Sequence, residues 1–153
     1  MKTNRFKHLA QANIARLRYP LSDPRMADMS ERIDEMNRLA EESPGFVWRF
    51  KEDGSPENDL SLLSEYMSPC RESLLFFNMS VWKGEEALRN YVFRSAHKEV
   101  MRGRELWTER LEEPTLVLWT VEPGERPTVR ESVRRFRSLR ERGPSMEAFG
   151  FSR

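Results

Sequence analysis

The decapeptide SLLFFNMSVW, Ser73 to Trp82, is apolar on both of its alternating sides. As a strand it points Leu75, Phe77, Met79 and Val81 one way and Leu74, Phe76 and Trp82 the other. TLVLWTV, Thr115 to Val121, repeats the pattern, with Leu116 and Leu118 opposed to Val117, Trp119 and Val121. An antiparallel sheet with one wet face alternates apolar with polar instead. A chain with such strands must cover its sheet on both faces. Leaving four of these side chains in water forgoes on the order of 6–12 kcal/mol, at about 1.5–3 kcal/mol each.

The remaining pattern supplies one obvious cover. HLAQANIARL predicts a strand over about residues 7–17, with Leu9, Gln11, Asn13 and Ala15 on one face and Ala10, Ala12 and Ile14 on the other. Asp23 then offers an N-cap and Pro24 suits the first helical position, where no amide hydrogen is needed. Met26, Met29, Ile33, Met36 and Ala40 make one apolar helix face, and Pro44 and Gly45 end it. Phe46 to Phe50 is a short second strand. Residues 51–72 are polar and turn-rich, long for a structureless loop. Within them Leu60 to Leu63 forms a helical turn or folds over a site, and the segment is expected to cover a pocket entrance. Residues 85–111 predict a helix with Leu88, Val92, Ala96, Val100, Trp107 and Leu111 on one face. Gly103 interrupts it at a cost of about 1 kcal/mol relative to alanine. The last helix opens on a capping box, Thr128 with Glu131, buries Val129, Val133, Phe136 and Leu139, and stops at Gly143.

The order strand, helix, strand, strand, helix, strand, helix fits an α+β, ferredoxin-like plan. It implies a four-stranded antiparallel sheet with helices on one face, in a single domain over residues 1–153. The second face then needs another cover. A two-fold related copy is the economical one, so the sequence predicts a homodimer joined through its sheet faces. The alternative is that residues 51–72 or the C-terminal AFGFSR fold across that face.

Composition narrows the function classes. With 26 basic and 25 acidic residues, the net charge of +1 gives no global pull toward nucleic acid or membrane. The lone Cys70 excludes an intramolecular disulfide and a zinc site built of cysteines. The N-terminus lacks the apolar run of a signal peptide, and no window approaches the roughly 20 apolar residues of a membrane span. A cytoplasmic location is the expectation.

Four stretches together carry a resemblance: LAQANIARLRYPLSDPRMADM, SPGFVWRF, NMSVWKGEEALRNYVFRSAHKEVMRGRELW and EEPTLVLWTVEPGERPTVRES. They resemble the bacterial family known as domain of unknown function 3291, over about residues 8 to 151. That family is similar to the dimeric α/β-barrel superfamily, which includes cofactorless monooxygenases of antibiotic biosynthesis, haem-degrading enzymes and chlorite dismutases. The resemblance implies an oxygenase-like or isomerising reaction on an aromatic or polyketide-like substrate, in a pocket between sheet and helices. Relatives often carry histidine in the turn PGERPT, where this chain has Glu125, so a histidine role at that turn is absent.

Several side chains are candidates for chemistry. His97 flanks the buried stripe of its helix, with Arg94 three residues back and Phe93 and Met101 as its i±4 neighbours. It reads as a proton-transfer group, as an axial haem ligand, or as a half-buried structural histidine. It is expected to border the largest pocket, together with Trp82 or Trp107. A lone histidine is poor evidence for a non-haem metal, which needs three or four ligands. Asn13 and Asn78 interrupt apolar strands that are neighbours in a ferredoxin-like sheet. With Ser80, Gln11 and Trp82 they make a polar spot that either orients a small hydrophobic or aromatic ligand or fixes strand register. Trp48, Trp82, Trp107 and Trp119 serve as core or as walls for a flat ligand. The last helix is arginine-rich, with Arg126, Arg130, Arg134, Arg135, Arg137, Arg140 and Arg142. It reads as a solvated face or as an interaction surface; without interleaved aromatics nucleic acid is not expected.

Overall fold

The computed structural model describes residues 7–67, 70–94 and 105–151, without the side chain of Arg94. Five antiparallel strands form one sheet: β1 (His8–Leu17), β2 (Phe46–Arg49), β3 (Leu75–Trp82), β4 (Thr108–Glu109) and β5 (Leu116–Val121). β1 is central. It pairs with β3 on one side, and β2 lies beyond β3. On its other side β5 takes His8 to Asn13 and the two-residue β4 takes Arg16 and Leu17. This is the ferredoxin-like order, with β4 as a fifth, short strand that the sequence pattern read as the end of a helix.

Among the described residues these α-helices pack on the sheet: α1 (Ala27–Glu42), α2 (Glu85–Arg94) and α3 (Val129–Arg142). The Asp23–Pro24 signal starts a 3-10 turn, Pro24–Met26, that runs into α1. The expected long helix over 85–111 is seen as α2 and as helical residues 105–107. Its middle, including Gly103, lies outside the described residues. Thr128 caps α3 as expected, its hydroxyl accepting from the Glu131 amide at 3.1 Å. The reciprocal half of the capping box is not made. Glu131 turns instead to Arg135, whose guanidinium donates to it at 2.9 Å, because a charge-assisted bond outweighs a neutral amide.

The helices divide between the two faces, which corrects the expectation that all of them share one. Ala10, Ala12, Met79, Val81, Val117 and Trp119 pack against Val129, Val133 and Phe136 of α3. Leu63, Tyr66 and Met67 complete this core; they belong to or follow the 3-10 helix Leu60–Glu65. These side chains are at most 4% exposed. This part of residues 51–72 folds across the second sheet face, the alternative cover that the sequence offered. Tyr66 donates to the Pro114 carbonyl at 2.7 Å and stacks on Phe136. The premise for a sheet-to-sheet homodimer was an uncovered second face, and the chain covers that face from within.

The opposite face carries α1 and α2, and its apolar surface is split in two. At one end Leu9, Trp82 and Leu118 pack with Ala40 and Leu88. At the other Leu17 packs with Met26, Met29 and Trp107, joined by Phe76. The C-terminal segment closes the β5 edge: Leu118 and Phe149 exchange backbone hydrogen bonds at 2.7 and 3.0 Å. Phe149 and Phe151 then reach the α2 side.

Candidate functional site

The gap between those two apolar clusters is filled by amides and a hydroxyl. β1 places Gln11 and Asn13 between Leu9 and Leu17, and β3 places Asn78 and Ser80 between Phe76 and Trp82. Antiparallel register sets Gln11 opposite Ser80 and Asn13 opposite Asn78. All four therefore share the face beneath α1 and α2, as strand alternation requires.

The hydrogen bonds among them are specific. Gln11 Nε2 donates to Asn78 Oδ1 at 2.6 Å and to Ser80 Oγ at 2.7 Å. Trp82 Nε1 donates to the same Ser80 oxygen at 2.8 Å. Asn13 Nδ2 donates to the Thr115 carbonyl at 3.2 Å. Gln11 and Ser80 are each 6% exposed, while Asn13 and Asn78 are half-buried. Both donors of Gln11 and both acceptor positions of Ser80 are thereby occupied. The Asn78 amide nitrogen, the Ser80 hydroxyl proton and the carbonyl oxygens of Gln11 and Asn13 retain hydrogen-bonding capacity. The site offers donors and acceptors side by side, all neutral, on an otherwise apolar floor.

Trp82 closes one end. It is fully buried, stacks on Tyr91 of α2 with centroids 5.2 Å apart, and meets Phe46 edge-on at 5.5 Å. Tyr91 in turn donates to the Met36 carbonyl of α1 at 3.0 Å. Burial pushes its phenol up to about 12, so it stays protonated and keeps this bond across the physiological range. Sequence reading missed Tyr91. Its one available signal is the step of three from Leu88 on α2, which puts both on the sheet-facing side.

A family model for the domain of unknown function DUF3291 matches residues 8–153. The chain belongs to the DUF3291 family. No curated protein sequence matches this DUF3291 chain. Among solved structures it is similar to NE2512, a protein of unknown function from Nitrosomonas europaea, with TM-score 0.50 and 11% identity over 81% of this chain and 98% of that one. It is also similar to SnoaB, a cofactor-independent oxygenase from Streptomyces nogalater, with TM-score 0.49 and 13% identity over 80% and 97% of the two chains. A monooxygenase of Streptomyces coelicolor from the gene ActVA-Orf6, solved with nanaomycin D, aligns with TM-score 0.44 and 15% identity over 82% and 96%. The Nitrosomonas likeness is one of fold.

Not every expected site residue of the DUF3291 chain falls at the polar gap. Asn13, Asn78, Ser80 and Trp82 do. Trp107 lies in the apolar cluster at the far end, 9% exposed, with Leu17, Met26 and Met29. Phe93 points outward, half exposed, and meets Phe151 edge-on at 5.3 Å. It forms no wall of the gap. His97, on which proton transfer and the haem reading rest, and the side chain of Arg94, the other catalytic candidate, lie outside the described residues.

The arginines of α3 serve mostly within the chain. Arg130 pairs with Glu57 at 3.0 Å, Arg134 and Arg135 with Glu131 at 3.7 and 2.9 Å, and Arg137 and Arg140 with Glu141 at 3.8 and 3.6 Å. Among the described residues no helix is long and apolar enough to cross a membrane. No group of three or more His, Cys, Asp or Glu side chains is placed among them to hold a metal ion.

Proposed function

We propose that this DUF3291 chain binds a small aromatic or polyketide-like molecule against the α1/α2 face of its sheet and acts on it, in an oxygenase-like or isomerising reaction. The observation that carries this reading is the polar gap itself. A sheet face that needed only packing would be apolar from Leu9 to Leu17, as the α3 face is from Ala10 to Ile14. Instead four polar side chains hold one another in fixed orientation and leave further hydrogen-bonding positions open. Such a constellation suits a flat ligand with a hydroxyl beside a carbonyl: the carbonyl accepts from Asn78 and the hydroxyl donates to Asn13 or Gln11.

The amides and the serine are neutral at any physiological pH, so they orient and polarise rather than take protons. The proton acceptor in this proposal is His97, the nearest histidine in sequence to α2. The reaction class follows the superfamily resemblance, and the polar gap supports the binding step.

Titration with a tricyclic phenol of polyketide type, followed by tryptophan fluorescence and native mass spectrometry, tests the site. Saturable binding of one ligand per chain, lost in N78L and kept in H97A, is the expected result, with oxygen uptake or isomerisation lost in both. Binding indifferent to N78L overturns the site. A Soret band in the visible spectrum of the purified protein would replace the proposal with haem binding.

A further inference from the structure

A concave region lies away from the polar gap, around β2. It is a cleft of about 600 Å³, bounded by β2, by residues 51–58 and by the turn that enters α3. That size falls in the usual range for small-ligand pockets, roughly 300–1,000 Å³. Phe46, Val47, Trp48 and Pro127 supply its apolar wall, and Arg49, Lys51 and Arg126 supply cations.

Its charges do not cancel locally. The two carboxylates of the wall are Glu41 and Asp53. Glu41 accepts from Arg49 Nε at 2.8 Å. Asp53 accepts from the Ser55 amide at 2.9 Å and from Asn58 Nδ2 at 3.0 Å. The bonds from Ser55 and then Asn58 hold its carboxyl below the usual range, so it stays ionised and engaged. Lys51 and Arg126 enter no ion pair among the described residues, and both are exposed.

The cleft is also tethered. Asn58 Oδ1 accepts from the Val129 amide at 3.0 Å, and Glu57 pairs with Arg130 at 3.0 Å. The loop wall is thus fixed to the start of α3 at two points, which lowers the ordering cost of binding there.

We propose that this cleft is a second ligand site, for a small aromatic anion whose carboxylate or phosphate meets Lys51 and Arg126 while its ring lies against Trp48. The pairing of one apolar wall with three cations against two carboxylates, where Lys51 and Arg126 stand outside any ion pair among the described residues, is what selects this class over a neutral aromatic or a bare inorganic ion.

Amide NMR of the full chain at physiological salt, titrated separately with phenyl phosphate, benzoate and inorganic phosphate, tests it. The expected result is saturable shifts centred on Trp48, Lys51 and Arg126 from one aromatic anion, about tenfold tighter than for inorganic phosphate, a difference of about 1.4 kcal/mol. The better of the two aromatic probes identifies the headgroup. Both cations are surface side chains, so K51Q/R126Q folds, and it is expected to abolish saturation. N78L, at the polar gap, leaves these shifts unchanged. Equal weak shifts from all three probes mean a diffuse cationic surface and overturn the proposal, as does binding that survives in K51Q/R126Q.

Discussion

Gln11 stands directly across from Ser80, yet its amide also reaches diagonally to Asn78, 2.6 Å away. One nitrogen therefore fixes two side chains on the neighbouring strand. Replacing Gln11 by methionine keeps the length and removes the donor. Asn78 and Ser80 each lose a partner in a largely buried setting, which costs about 1–3 kcal/mol. Urea denaturation of Q11M is expected to show that loss. A midpoint equal to the parent's would mean that solvent already serves these groups.

The α3 face predicts assembly and stability together. Phe136 is fully buried and stacks on Tyr66 at 5.1 Å, locking α3 to the 3-10 segment over the sheet. Phe136→Ala is expected to cost about 3–5 kcal/mol. Because both sheet faces are covered within one chain, the protein is expected to sediment near its monomer mass of 18.2 kDa at micromolar concentration. A stable dimer whose protection from amide exchange falls on β1, β3 and β5 would show that α3 gives way to a second sheet.

These cases show what the sequence could and could not say. Alternation paired Gln11 with Asn13 on one side of β1 and Asn78 with Ser80 on one side of β3, but only the register, Gln11 opposite Ser80, puts all four on one face. The stripe Val129, Val133, Phe136 and Leu139 said that α3 packs, but an amphipathic helix carries no mark of which sheet face it joins. β4 was illegible for a different reason. Thr108 and Glu109 are too few to show alternation, and Trp107 and Leu111 extend a helical period straight through them. The β2 cleft joins Arg49 and Lys51 to Arg126 of a distant segment, so no local pattern could announce it.

Gly45 ties β2 to α2. Its φ is 84°, and a Cβ there would stand 2.5 Å from the Cβ of Ala87. Its carbonyl also accepts from the Lys83 amide at 2.8 Å. Gly45→Ala therefore meets both backbone strain and a clash, and is expected to cost more than about 1 kcal/mol. Gly124 also has a positive φ, 92°, but nothing lies within 4 Å of its would-be Cβ. Gly124→Ala carries the strain alone, so thermal melts should rank it as the milder change. Because α2 holds Tyr91 over Trp82, G45A is also expected to weaken ligand binding at the polar gap, and G124A is not.

Asp23 makes stability depend on acid pH. Its carboxylate accepts from the Arg25 side chain at 3.0 and 2.9 Å and from the Arg25 amide at 2.9 Å. The side-chain bonds first, and then the amide, hold its carboxyl at about 2 against an ordinary value of 3.8. The folded value lies below the unfolded one, so the contribution is fully present above the ordinary value and is lost as pH falls through about 2. Asp23→Asn keeps a side-chain oxygen for the Arg25 amide but removes the charge. The parent is therefore expected to exceed D23N in stability at neutral pH, and the gap should close between about pH 4 and pH 2. Asp53 and Asp59, whose carboxyls are also lowered by hydrogen bonds, contribute equally to both proteins and cancel in the difference. Denaturation curves of the two that run parallel through this window would remove Asp23 from the acid response.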